Sequence, residues 1–153
     1  MSTTNYESMD EYLRNSVSPL IHKFDHNNYL KHNGALKENG ITFQQSIVLG
    51  FLYSNRYNDS INQKSIENYL DLKGSSVTSL IKSMVKKGYI ERLQDKNDAR
   101  NYKFKLTEKA MELHTICVNI FKETNKSFLK NISEEEINLF INTLKKMITN
   151  IEE

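Results

Sequence analysis

The sequence predicts a mainly α-helical chain interrupted by one small β-hairpin, and three observations carry that reading. Apolar residues Val77, Leu80, Ile81, Met84 and Val85 recur at the i, i+3, i+4, i+7, i+8 spacing of a helix with one buried face. Beyond Gly88, apolar residues alternate in two short runs, Tyr89-Ile90 and Tyr102-Phe104-Leu106, with Lys103 and Lys105 on the opposite face. The polar tip Asp95-Lys96-Asn97-Asp98-Ala99-Arg100 separates the runs. Finally, Thr42-x-x-Gln45 and Ser133-x-x-Glu136 both show the capping-box pattern, in which a hydroxyl and a residue three positions later satisfy each other's backbone N–H.

Taken in order, the first strong helix is expected from Pro19 toward Glu38, because Ser18-Pro19 fits an N-cap followed by proline at the first helical position. A separate short helix near Glu7 to Ser16 precedes it, or else one long helix is kinked at Pro19. Thr42 opens the next helix, whose Phe43, Ile47, Val48, Leu49, Phe51 and Leu52 make it a central strut. Asn62 or Ser60 caps a third, with Ile66, Tyr69 and Leu70 facing inward. A turn over Asp71 to Gly74 leads into the helix Ser75 to Lys87. After the hairpin, Thr107 caps a long helix to about Lys130 with Met111, His114, Cys117, Val118 and Phe121 on one stripe. The last helix repeats Ile137, Phe140, Ile141, Leu144, Met147, Ile148 and Ile151 at near-heptad spacing. That stripe is longer than a terminal surface helix needs, and a partner chain would cover it.

A chain of 153 residues suits one domain, or one with an extension. Its net charge of +2 is unevenly spread: residues 61 to 110 hold eleven Lys and Arg against six Asp and Glu, while the remainder is acidic. The basic surplus thus coincides with the helix and hairpin. No apolar run reaches the length of about 18 residues that a membrane span needs, and Met1 to Asp10 is polar, so a cytoplasmic protein without membrane span or signal peptide is expected. The single cysteine, Cys117, has no partner for an intramolecular disulfide. Nothing resembles a nucleophile elbow, a phosphate-cradling glycine loop or a His-Glu-x-x-His motif, so neither catalysis nor a cofactor is expected.

The polar face of the Ser75 to Lys87 helix carries Ser75, Ser76, Thr78, Ser79, Lys82, Ser83 and Lys86. Small hydroxyls let a helix approach base edges in a major groove, where they donate or accept, while lysines suit phosphates. No Arg, Asn or Gln on this face supplies a bidentate base contact, so specificity must be shared. Arg100 at the hairpin tip suits a narrow, A·T-rich minor groove. Asp98 can orient its guanidinium and Asp95 can brace the hairpin. Arg92, Lys96 and Lys103 complete the candidate DNA-contacting set, Lys82, Lys86, Lys96 and Lys103 as phosphate contacts. Taken alone, the tip is an ordinary polar turn; its position beside this helix is what points to DNA.

The pattern Arg92-x-x-Asp95-x-x-Asp98-x-Arg100, followed by Phe104-x-Leu106-Thr107-Glu108-Lys109-Ala110, resembles the wing signature of the multiple-antibiotic-resistance-regulator (MarR) family of winged helix-turn-helix repressors. Ala110 departs from the glycine many members carry there, a change toward better helix propensity. Thr42-x-x-Gln45 and Ile47 to Leu52 resemble the family's second helix, so the likeness covers roughly Ile41 to Ile151, and residues 1–40 match loosely. It implies a homodimeric regulator on an inverted repeat, released by a small aromatic or amphipathic effector in a crevice between dimer helices and DNA-binding lobe. Phe24, Tyr29, Phe43, Phe51 and Tyr53 are the candidates to line it, though each is better suited to the core. The implied division is an N-terminal dimerisation segment over 1–40, the winged helix-turn-helix over 41–110 and C-terminal dimerisation helices over 111–153.

Three alternatives stay open. A winged helix can mediate protein contacts instead of DNA binding. His22 and His26, at i and i+4, could share a metal, and some regulators of the resembled family sense zinc, but no Cys or Glu cluster stands near them, so no metal site is assigned. Cys117 could be a redox switch, but its apolar stripe marks a buried thiol, and the family's peroxide sensors carry their cysteine near the N-terminus.

Overall fold

A computed structural model describes residues 8–58, 60–94 and 102–152. Its elements are α1 (Met9–Asn15), α2 (Val17–Lys37), α3 (Phe43–Ser54), α4 (Gln63–Leu70), α5 (Gly74–Lys86), β1 (Ile90–Gln94), β2 (Tyr102–Leu106), α6 (Glu108–Phe128) and α7 (Glu134–Glu152). The chain divides into two compact units, Met1–Phe121 and Lys122–Glu153.

Within the first unit, α3 is the strut its composition predicts. Val48 and Leu49 are fully buried and join Leu36 of α2, Ile66 of α4, Val77, Ile81 and Met84 of α5, Ile90 and Leu106 of the hairpin, and Leu113 and Cys117 of α6. Burying each large side chain stabilises by about 1.5–3 kcal/mol, which is what holds these elements around one helix. The expected capping box opens α3: Gln45 N–H donates to Thr42 Oγ1 at 3.3 Å and Thr42 N–H to Gln45 Oε1 at 3.2 Å. Asn62, rather than Ser60, caps α4 through Ser65 N–H at 3.1 Å.

Helices α4 and α5 are joined by a tight turn in which Asp71 adopts φ 50, a left-handed conformation that Asp tolerates. Recognition-type helix α5 ends in a Schellman motif: Tyr89 N–H bonds Met84 O and Gly88 N–H bonds Val85 O, each at 2.9 Å, with Gly88 at φ 69. The chain therefore turns directly into β1, which pairs antiparallel with β2 in the register Ile90↔Leu106, Arg92↔Phe104, Gln94↔Tyr102. An isolated antiparallel bridge from Asn62 to Lys103 adds the approach to α4 as a third, one-residue strand.

Four local expectations are corrected. Helix α2 begins at Val17 with Ser16 as N-cap, so Pro19 is its third residue instead of its first. That position costs nothing, because the first helical N–H groups have no intrahelical acceptor. Ser16 is extended and alone separates α1 from α2. Tyr69 is 56% exposed, its ring stacked on Phe51 at 4.4 Å, and Val85 and Met111 are also exposed, at 39% and 40%. Each lies at the edge of its helix's apolar stripe, where half a side chain faces solvent.

In the second unit, Ser133 and Glu136 form the expected capping box: Glu136 N–H donates to Ser133 Oγ at 3.2 Å and Ser133 N–H to Glu136 Oε2 at 2.8 Å. No residue of α7 is buried, and Leu139, Phe140, Ile141, Ile148 and Ile151 are exposed.

Candidate nucleic-acid interface

Helix α5 presents one face to the core through Val77, Ile81 and Met84. On its other face Ser75, Ser76, Ser79, Lys82 and Lys86 are exposed. Ser79 Oγ donates back to Ser75 O at 3.1 Å, leaving its lone pairs outward, whereas Ser75 and Ser76 make no side-chain hydrogen bond among the described residues. Thr78 is half-buried and used internally: its hydroxyl donates to Gly74 O at 2.7 Å and accepts from Gln63 Nε2 at 2.9 Å. The predicted hydroxyl face is therefore three serines wide, with Thr78 as a strut beneath it.

Gln63, unmarked in the sequence reading, is the buckle of the helix pair. Its amide also donates to Glu67 Oε1 at 3.0 Å and lies 3.4 Å from Gly74 O. The Gln63 bond lowers the Glu67 carboxyl pKa; burial opposes this and Lys64, 3.3 Å away, adds to it. Glu67 stands so close to α5 that a Cβ on Gly74 would lie 2.9 Å from its Oε1. The Gln63-x-x-x-Glu67 spacing was readable, but the partner fifteen residues on was not.

In the hairpin, the Arg92 guanidinium lies 3.5 Å from the Tyr102 ring centroid, a cation–π contact that holds an exposed arginine in place. Arg92, Tyr102 and Phe104 face Asn62, Gln63, Lys64 and Glu67 across a cleft of about 300 Å³. Lys103 is half-buried. Lys96, Asp98 and Arg100, with Asp95, lie outside the described residues.

The candidate effector-lining residues fall into separate groups. Tyr29 packs edge-on against Phe43 at 5.4 Å, and Phe43 and Phe121, with centroids 5.7 Å apart, flank His32 at 5.7 and 4.5 Å. Buried His32 has Nδ1 2.9 Å from Asn28 O, which fixes Nδ1 as a donor, and its Nε2 has no partner among the described residues. Phe51 pairs instead with Tyr69, Tyr53 stacks on His114 at 3.8 Å, and Phe24 is exposed on α2. His22 and His26 are exposed, and the described residues contain no group of three or more His, Cys, Asp or Glu able to hold a metal.

A helix-turn-helix whose second helix offers hydroxyls and lysines, flanked by a β-hairpin wing, defines a winged-helix transcriptional regulator. The MarR family model matches residues 39–101. The regulator SarZ of Staphylococcus haemolyticus is 28% identical over 141 residues, 92% of each chain. Among solved structures, the S. aureus MepR–DNA complex superposes with a TM-score of 0.79 at 26% identity, covering 89% of this chain and 96% of that one. A MarR-family regulator from Listeria monocytogenes complexed with 26mer DNA gives 0.77 at 26% identity and 89% of each. These likenesses support a winged-helix transcriptional regulator similar to the MarR family, whose model matches this chain over its DNA-binding lobe.

Proposed function

We propose that this protein is a cytoplasmic homodimeric repressor that reads an inverted-repeat operator and releases it on binding a small aromatic or amphipathic effector. The observation that carries the DNA reading is the exposed Ser75-Ser76-Ser79 face of α5, with Lys82 and Lys86 beside it. MepR and the Listeria regulator are both solved with DNA, which supports DNA as the partner here. Dimerisation through residues 1–40 and 111–153 accounts for the apolar side chains exposed on the single chain: Met9, Tyr12 and Leu13 on α1, Val17, Leu20 and Leu30 on α2, and the α7 stripe. Two-fold symmetry then sets half-site centres about 10 base pairs, or a multiple of that, apart. Among the described residues no helix is long and apolar enough to cross a membrane. The effector reading is supported by the aromatic box of Tyr29, Phe43 and Phe121 around His32, whose buried, unpartnered Nε2 is free to hydrogen-bond a ligand's polar group. An effector that prefers a dimer with mis-spaced recognition helices lowers operator affinity by that preference.

The test is fluorescence anisotropy on a duplex enriched by the wild-type protein from a random pool, and on a scrambled duplex, at several salt concentrations. Arg100→Ala should weaken binding to the enriched duplex by about 1–3 kcal/mol. Lys82→Ala and Lys96→Ala should weaken both duplexes alike and lower the salt slope by about one unit each. Asp98→Ala should weaken binding if Asp98 orients Arg100 and strengthen it if it does not. A folded protein that enriches no duplex would remove this reading.

A further inference from the structure

Three lysines stand in the last turns of the recognition helix: Lys82 and Lys86, both exposed, and Lys87, its half-buried C-cap. Lys87 is committed elsewhere. Its ammonium donates to Gly40 O at 2.8 Å and to Gln45 Oε1 at 2.9 Å. The same Gly40 carbonyl accepts from the Tyr89 hydroxyl at 3.0 Å, and buried Gln45 turns its Nε2 to Ser83 Oγ on α5 at 3.0 Å. Lys109 Nζ donates to the Lys87 main-chain carbonyl at 2.9 Å, and the Lys87 and Lys109 ammoniums lie 5.9 and 5.0 Å from the Tyr89 ring centroid. The close approach depends on glycine: Gly40 has φ +75, and a Cβ there would stand 3.2 Å from the Tyr89 hydroxyl.

We infer that Lys87 is a positioning residue for operator reading, which fastens the C-terminal end of α5 to the corner between α2 and α3. Binding a phosphate instead would require giving up charge-assisted hydrogen bonds already made inside the protein. Resting on the dimeric DNA-binding reading, the consequence is geometric. Helix α2 carries part of the proposed dimer surface, so the tilt of α5 against α2 sets the distance between the two recognition helices and hence the half-site spacing. Lys87 selects spacing, not bases.

The experiment uses the enriched duplex and versions of it with one or two base pairs inserted between the half-sites. Lys87→Met keeps the aliphatic stem and removes the ammonium. Affinity for the enriched duplex should fall about tenfold, the scale of a lost charged hydrogen bond. The penalty for inserted base pairs should shrink, and the salt slope should stay unchanged. Lys82→Met, the comparator, should lose about one unit of slope on all duplexes alike. A Lys87→Met protein that behaves like Lys82→Met, or that leaves affinity and spacing penalty untouched, overturns the inference. Tyr89→Phe removes one neutral bond to the same carbonyl and should act in the same direction, by about two- to threefold. If Lys87→Met does not fold, Tyr89→Phe decides, and an unchanged spacing penalty overturns the inference. Wild-type protein that enriches no duplex removes the DNA reading, and this inference with it.

Discussion

The side-chain amide of Gln63 donates to the hydroxyl of Thr78 at 2.9 Å, tying the first residue of α4 to the middle of the recognition helix. With its hydroxyl bonded on both sides inside the helix pair, Thr78 is expected to act on DNA through the pose of α5. Thr78→Val, nearly the same in volume, should cost about 1 kcal/mol of stability, the net scale of a hydrogen bond, and leave base preference unchanged. Ser76→Ala should do the opposite. Urea melts and the sequences enriched by each variant measure the two effects; a shifted base preference for Thr78→Val would return that residue to the reading face.

What the sequence made legible was local. Both capping boxes link residues three apart, and the apolar period of α5 is a property of one helix, so composition and spacing sufficed. The wing could be recognised from its charged tip and alternating strands. The same reasoning put Thr78 on the polar face correctly but could not assign its partner, because Gln63 is brought there by the tertiary turn at Asp71–Lys73. Lys87 shows the same limit at longer range. No local pattern marks its role, and only the fold brings to it Gly40 and Gln45, more than forty residues earlier in the chain.

Cys117 is buried, and that burial pushes its thiol up to about 11 from an ordinary 9.0. The thiolate is the reactive form, so at pH near 8 native labelling should be about a hundredfold slower than in the unfolded chain. The folded value lies above the unfolded one. This thiol's contribution is therefore fully present below about pH 9 and lost as pH rises toward 11, an amount of about 2–3 kcal/mol. Labelling kinetics in native buffer and in urea decide the point; equal rates, or a peroxide response of DNA binding abolished by Cys117→Ser, would establish a redox switch instead.

His114 stacks on Tyr53 with rings 9° from parallel, and the Arg56 guanidinium lies 4.3 Å from the Tyr53 centroid. Burial lowers the His114 pKa below 6.5, and the Arg56 charge lowers it further. The unfolded chain thus takes up the proton first as pH falls. Stability from this group is present above about pH 6.5 and is lost as pH drops through the folded value. His114→Phe preserves the stack and should flatten part of the fall in urea midpoint between about pH 7.5 and 5.5. A variant with the wild-type pH profile would assign the acid sensitivity to other groups.

On α7, Phe140 is 57% exposed in the single chain and Leu144 is half-buried. These two positions separate a monomer from a dimer cleanly. If the chain acts alone, aspartate at Phe140 stays in water and should change stability little. If a second copy covers the stripe, each new carboxylate is buried without a counter-charge, at a cost on the order of 3 kcal/mol or more per site. Light scattering on the wild-type protein should then report twice the 17.9 kDa chain mass. Its melting temperature should rise with protein concentration, because association stabilises only the folded state. Phe140→Asp with Leu144→Asp should give a monomeric or unfolded species and lose binding to a two-half-site duplex. A wild-type monomer at micromolar concentration, unaffected by the paired substitution, would leave the α7 stripe without a partner and sink the homodimer.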